Sequence, residues 1–219
     1  MDIKQQLQEI RTKLRLSMNG VASQSMREKG LTYKLNFGVE LPRIKEIAAG
    51  YEKNHDLAQA LWKEDVRELK ILAGFLQPID SFYPDIADIW VENIHNPEIA
   101  EMTCMSLFQY LPYAADKAFQ WMADDREYFQ LCGFLLMARL LGKGSGLNER
   151  AEAEFLDQAV TVIQSELVLP RKAAILALKK FGTQSEANAK KVIKLINSFK
   201  HSGKAELQAA YDEIKNEIE

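Results

Sequence analysis

Apolar residues recur every three to four positions along nearly the whole chain, the signature of amphipathic helices. Ile3, Leu7, Ile10 and Leu14 open the series, and the dipeptide Asn19-Gly20 then marks a turn. After the loop Asn36-Phe37-Gly38-Val39, three short patterns follow in quick succession. Ile44, Ile47, Ala48 and Tyr51 make the first, Leu57, Leu61 and Trp62 the second, and Val66, Leu69, Leu72, Phe75 and Leu76 the third. Leu41-Pro42 suits a helix start, because proline has no N–H to leave unpaired in a first turn. Helices this short cannot bury an apolar stripe alone, so neighbours must cover them.

The same reading continues to the C-terminus. Residues 80–94 carry Phe82, Ile86, Ile89, Trp90 and Ile94 on or near one face. Asn96-Pro97-Glu98 supplies a cap, a proline and an acid at the positive end of a helix expected to reach Tyr110 or Leu111. Further helices are predicted over 114–122, from Asp124-Asp125 to Gly142, from Asn148 to Ile163, from Leu169-Pro170 to Gly182, from Ser185 to Phe199 and over 204–218. The segment Gly142-Lys143-Gly144-Ser145-Gly146 reads as a turn, since no strand precedes it and its Lys is misplaced for a phosphate-binding loop. No stretch reads as a strand. The expectation is an all-α fold of eleven or twelve helices with short connections, arranged as an α-α superhelix of HEAT-like antiparallel pairs or as a compact irregular bundle. One domain over residues 1–219 is expected, with 1–29 as an N-terminal helical cap and 183–219 as C-terminal helices.

Composition adds limits. The 219 residues are 47% hydrophobic and 27% charged, with a formal net charge of -3, so a nucleic-acid partner requires local segregation of charge. Such segregation exists. From Arg171 to Lys204 the bases are Arg171, Lys172, Lys179, Lys180, Lys190, Lys191, Lys194, Lys200 and Lys204, against the single acid Glu186. Two readings stand side by side, a surface that neutralises phosphates and a solvated lysine-rich face. Cys104 and Cys132 sit among apolar residues without CxxC or zinc spacing and read as buried thiols. The N-terminus lacks the apolar segment of a signal peptide and no run is long enough to span a bilayer, which predicts a cytoplasmic protein without a membrane partner. His55, His95 and His201 are isolated, and no metalloprotease, serine-hydrolase or Cys/His pattern occurs, so no metal or cofactor is expected. Tyr33, Phe37, Trp62, Trp90, Trp121 and Tyr128 are aromatic candidates. Trp62 reads as core, whereas Trp121, followed by Asp124, Asp125, Arg126 and Tyr128, lies at a helix end from which a ring can reach a groove.

Met26, FGVELPRIKEIA over 37–48, LWKEDVRELKILA over 61–73 and QWMADDREYFQLCGFLL over 120–136 resemble successive repeats of the AlkD-like, HEAT-like-repeat DNA glycosylases, the DNA alkylation repair enzymes. The resemblance runs from about residue 26 to 181. It implies an all-helical fold with a basic concave face for DNA, and in some members release of positively charged N3- or N7-alkylated purines. Because a cationic base leaves readily, a carboxylate that stabilises the oxocarbenium ion and tryptophan rings that offer cation–π contacts suffice. Active members carry Trp-Asp-x-x-Asp, an Arg at the start of a later helix and a further Trp. Here Glu98 and Glu101 take the two acidic positions with Pro97 in place of Trp, while a register on Trp90 keeps the Trp but puts Val91 and Ile94 at the acids. Leu131 stands for the Arg and Leu176 for the second Trp. The resemblance thus implies Glu101 as electrostatic catalyst with Glu98 beside it, Trp121 and Tyr128 in the cleft, and Arg171, Lys172, Lys179 and Lys180 on DNA phosphates. The expected partner is duplex DNA, alkylated or branched. The alternatives are a scaffold that binds DNA without catalysis and a protein–protein scaffold.

Overall fold

A computed structural model describes residues 2–31 and 33–218. The described residues form an all-α fold with thirteen α-helices and two short 3-10 turns. The sole β feature among them is an isolated bridge between Leu35 and Val66. None of the helices is long and apolar enough to cross a membrane. The chain divides into two compact units, Met1–Leu111 and Pro112–Glu219.

The first unit holds α1 (Ile3–Leu16), α2 (Gly20–Glu28), α3 (Leu41–Ala49), α4 (His55–Trp62), α5 (Arg67–Leu76), α6 (Pro84–Glu92) and α7 (Pro97–Ser106). Helix α5 is its centre, packing against α3, α4 and α7. Contacts with both the adjacent helix and the next but one are what a two-layered stack of hairpins produces. Asparagine caps set several of the starts. The side chains of Asn19, Asn54 and Asn96 accept from the backbone N–H of Ala22, Leu57 and Glu98. The aromatic core lies among α4, α6 and the segment between α5 and α6. There Trp62 stacks on Trp90 at 4.0 Å, Phe82 meets Trp90 edge-on at 4.9 Å, and the Trp90 indole donates to Gln59 at 3.1 Å.

The second unit holds α8 (Ala114–Met122), α9 (Glu127–Gly142), α10 (Glu149–Ile163), α11 (Val168–Gly182), α12 (Glu186–Ile196) and α13 (Ala205–Ile218). Helix α9 packs between α8 and α11, and α11 also contacts α10, α12 and α13. Gly133 lets α9 approach α8, since a Cβ there would lie 2.5 Å from the backbone nitrogen of Met122. Cys104 in the first unit and Cys132 in the second are both buried and free of any disulfide.

Three boundaries differ from the sequence expectation. Pro84 holds Tyr83 extended, at φ -80° and ψ 157°, so α6 starts there and not at Asp80. Helix α7 stops at Ser106, and the break turns Leu107 and Phe108 inward to near-complete burial before the 3-10 turn Phe108–Tyr110. Helix α12 likewise passes into a 3-10 turn, Asn197–His201, which buries Phe199. The additional helix beyond the eleven or twelve expected is α2, which Asn19 initiates where the pattern marks only a turn.

The loop before α3 is locked in place. Gly38 has φ +68°, and a Cβ there would lie 2.2 Å from the carbonyl oxygen of Asn19 and 2.7 Å from the backbone nitrogen of Ser23. The Phe37 carbonyl accepts from Asn19 N–H at 2.9 Å, and the Ser23 hydroxyl donates to the Asn36 carbonyl at 2.9 Å. Gly38→Ala should therefore destabilise the protein by about 2 to 4 kcal/mol, from left-handed backbone strain plus displacement of α2. A denaturant midpoint equal to wild type would show that the loop yields freely.

Candidate functional site

A charged cluster joins the loop, α5 and α7 inside the first unit. Arg67 and Glu68 open α5, and both are buried, at 4% and 0% exposure. Glu68 accepts from the backbone N–H of Phe37 and of Val39, each at 3.1 Å, so one carboxylate holds both sides of Gly38. Arg67 donates to the Val39 carbonyl at 2.9 Å and to Glu68 at 3.0 Å. Its Nε and Nη2 then form a fork on Glu98, at 2.8 Å and 2.6 Å. The Tyr33 hydroxyl donates to the same carboxylate at 2.6 Å.

The electrostatics follow from this geometry. Burial pushes the Glu98 carboxyl up, but the hydrogen bonds from Arg67 and Tyr33 and the charge of Arg67 outweigh burial and hold it below the usual carboxylate range. Burial likewise works against the Arg67 charge and is overcome by Glu98 and Glu68. The Tyr33 phenol is pushed far up, by burial first and then by the hydrogen bond and charge of Glu98, so it remains a neutral donor.

Glu101, one turn further along α7, is exposed. The two acids of the spacing thus occupy different settings, Glu98 engaged by an arginine fork and a tyrosine, Glu101 facing solvent. Pro97 occupies the first turn of α7, directly after the Asn96 cap.

The other residues singled out in the sequence lie in the second unit. Trp121, near the end of α8, is fully buried and meets Phe129 edge-on at 6.5 Å. Tyr128 is half-buried in the first turn of α9, its phenol pushed up by burial and by the charge of Glu127. Leu131 is buried, while Leu176 is 37% exposed on α11. Arg171 donates to the Ser165 carbonyl and Lys172 is exposed. Lys179 pairs with Glu213 and Glu217 of α13, at 3.2 Å and 3.4 Å, and Lys180 is half-buried. Much of the basic block is tied down in the same way: Lys190 to Glu186, Lys191 to Glu152 and Lys204 to Glu166.

Sequence reasoning missed Arg67 and Glu68. The signal was available, since a charged pair between Val66 and Leu69 near the start of a helix that is buried on most sides needs internal partners. It also did not connect Tyr33 with Glu98, which are separated by 65 positions.

Glu98 is an acid whose folded pKa lies below its unfolded value of about 4.3. Its contribution is therefore complete above that value and is lost as pH falls through the depressed one. Glu98→Gln should cost about 1 to 3 kcal/mol at neutral pH, because it weakens the fork from the buried Arg67 and leaves Glu68 as the arginine's one carboxylate partner among the described residues. It should also flatten the loss of stability between about pH 5 and the depressed pKa. Urea unfolding at several pH values measures both; parallel curves for the two proteins would refute the assignment.

Comparison with known proteins agrees with this architecture. The sequence matches the DNA alkylation repair enzyme family over residues 10–205. No curated protein matches it. A solved structure described as "a new family of proteins related to the HEAT-like repeat DNA glycosylases with affinity for branched DNA structures" is similar over all of this chain and 94% of its own, with 19% identity and a TM-score of 0.81. At that identity the likeness establishes the fold, a HEAT-like repeat of helices. An engineered protein is 12% identical with a TM-score of 0.44 over 82% of this chain and 86% of its own, too low to carry an argument. By the family match, which takes in most of its length, this chain belongs to the DNA alkylation repair enzyme family.

Proposed function

We propose that the protein binds DNA by structure, with preference for branched DNA, and that it does not excise bases through the carboxylate at Glu98. One observation carries the second part of this reading. The Glu98 oxygens already receive the Arg67 fork and the Tyr33 hydroxyl. A carboxylate that stabilises an oxocarbenium ion must present its charge to the sugar. At Glu98 that charge is engaged at hydrogen-bond distance by a guanidinium, and moving it would break a bidentate pair and leave the buried Arg67 with Glu68 alone.

Other features agree. Trp121 is enclosed in the core, and in the register the resemblance implies Leu131 and Leu176 replace the family Arg and second Trp, so those side chains supply neither a cation–π wall nor a cationic clamp on the DNA. The structural relative is described as having affinity for branched DNA. Lys172 and Lys180, with Arg171 at the helix start, offer phosphate contacts on α11. Lys179 contributes less, since Glu213 and Glu217 already neutralise it.

Binding to a four-way junction should be tighter than to a linear duplex of equal length and should weaken steeply with salt. Changing Lys172 and Lys180 to Glu should lower the slope of log affinity against log salt by about 2. Absence of binding, or binding insensitive to salt, would sink the proposal.

A second reading rests on Glu101, whose exposed carboxylate sits one turn beyond Glu98 and is open to a substrate. It makes Glu101 the electrostatic catalyst for release of N3- or N7-methylated purine from alkylated duplex. On the preferred reading wild type releases no base above background. Release that disappears in Glu101→Gln while the protein stays folded would replace the preferred reading with this one.

A further inference from the structure

We propose that the first unit carries its own phosphate-binding cleft, formed by one face of α1, the segment before α3 and the α4–α5 turn, and that its ligand is the DNA backbone. The inference deepens the DNA-binding reading above by naming a contact surface outside the basic block of residues 171–204.

A cavity of about 520 Å³ opens between these elements. Four cations line it, Arg11 and Arg15 from α1, Lys34 from the loop and Lys63 from the α4–α5 turn, against the two carboxylates Glu64 and Asp65. Phe37 and Leu69 contribute apolar surface beneath them, and charges beside such a low-dielectric wall interact more strongly with an anion than charges on an open surface. Arg11 is anchored by Glu64 at 2.7 Å. Arg15, Lys34 and Lys63 are exposed, and no carboxylate forms an ion pair with any of them among the described residues. A smaller hollow of about 280 Å³ shares Arg11 and Arg15 and continues along α1 to Lys4.

The spacing suits a polyanion better than a single small ion. Lys4, Arg11 and Arg15 fall near one face of α1, at separations of two and three turns from Lys4, and span about 16 Å at the helical rise of 1.5 Å per residue. Along one strand of a duplex that length covers about five phosphates. The contrast with the second unit supports the assignment. There Lys179, Lys190, Lys191 and Lys204 are each held by a carboxylate, so four of the nine cations of the block that stands out in the sequence are already neutralised. In the cleft, three of the four cations keep their charge available.

The test uses the full chain and the triple variant Arg15→Glu, Lys34→Glu, Lys63→Glu. All three side chains are exposed, and circular dichroism and thermal melting confirm that the variant folds as wild type. Fluorescence anisotropy measures affinity for a junction and for a linear duplex between about 50 and about 200 mM salt. The variant should bind both at least tenfold more weakly, and its log–log salt slope should fall by about 2 to 3. Unchanged affinity and slope would overturn the cleft while leaving junction preference, and so the functional reading, intact. Conversely, a wild type without junction preference removes the functional reading, and loss of duplex binding in the variant still upholds the cleft. Backbone-amide shifts in the NMR spectrum separate the sources of phosphate. A short single-stranded oligonucleotide should perturb Arg15, Lys34 and Lys63 at lower phosphate concentration than inorganic phosphate does. Equal perturbation at equal phosphate concentration would reduce the cleft to a simple anion site and overturn its assignment to DNA.

Discussion

The first unit depends on a buried guanidinium. Arg67 reaches Glu98 on α7, Glu68 on its own helix and the Val39 carbonyl in the loop before α3. Three segments far apart in sequence are thereby fixed relative to one another by hydrogen bonds, with direction and register that apolar packing alone does not impose. The buried Glu68 and the half-buried Glu98 would repel each other without the cation, and the cation would be costly without them. Each member is therefore tolerable only because the others are present. Glu68 extends the arrangement to the backbone by accepting from Phe37 and Val39 on either side of Gly38. The conformation of a glycine that no other residue can replace without strain is held from α5 on one side and from the start of α2 on the other.

This constraint bears directly on chemistry. An acid at a helix N-terminus is stabilised in its charged form, which suits a catalyst that must face a developing cation. At Glu98 the same preference is satisfied internally, by Arg67 and Tyr33. Stabilising the fold and stabilising a transition state thus compete for one carboxylate. The fold holds it through two charge-assisted bonds and one neutral donor. Glu101, three residues later and turned to solvent, carries no such obligation.

Much of the fold was legible in the sequence because it is written in local signals. Asn54, Asn96, Asn148 and Ser185 each cap the helix that begins beside them, and the apolar periodicity placed nearly every helix. The misplaced ends had local causes too, as Pro84 shows, but at Leu107 the deciding factor was burial of two side chains against partners elsewhere in the chain. The candidate site was less legible for a similar reason. Glu98 was singled out by the family resemblance, yet its condition depends on Tyr33 and Arg67, 65 and 31 positions away. Charge runs misled in the same manner. Lys179 looks free in the sequence because its partners, Glu213 and Glu217, arrive with the last helix.

The distribution of unpaired charge follows from where the acids fall. The second unit places Glu152, Glu166, Glu186, Glu213 and Glu217 within reach of its lysines; the exposed pairs, Lys190 with Glu186 and Lys204 with Glu166, add little stability, yet each pair cancels part of the field. In the first unit Glu68 and Glu98 are engaged by Arg67, and while Arg11 pairs with Glu64, Arg15 of α1 and Lys63 of the α4–α5 turn form no ion pair among the described residues. A chain with net charge -3 can hold a basic surface only by such segregation. Where negative charge is held inside a network, positive charge outside it stays unpaired, and the interaction that secures the fold thereby leaves a basic surface on the first unit.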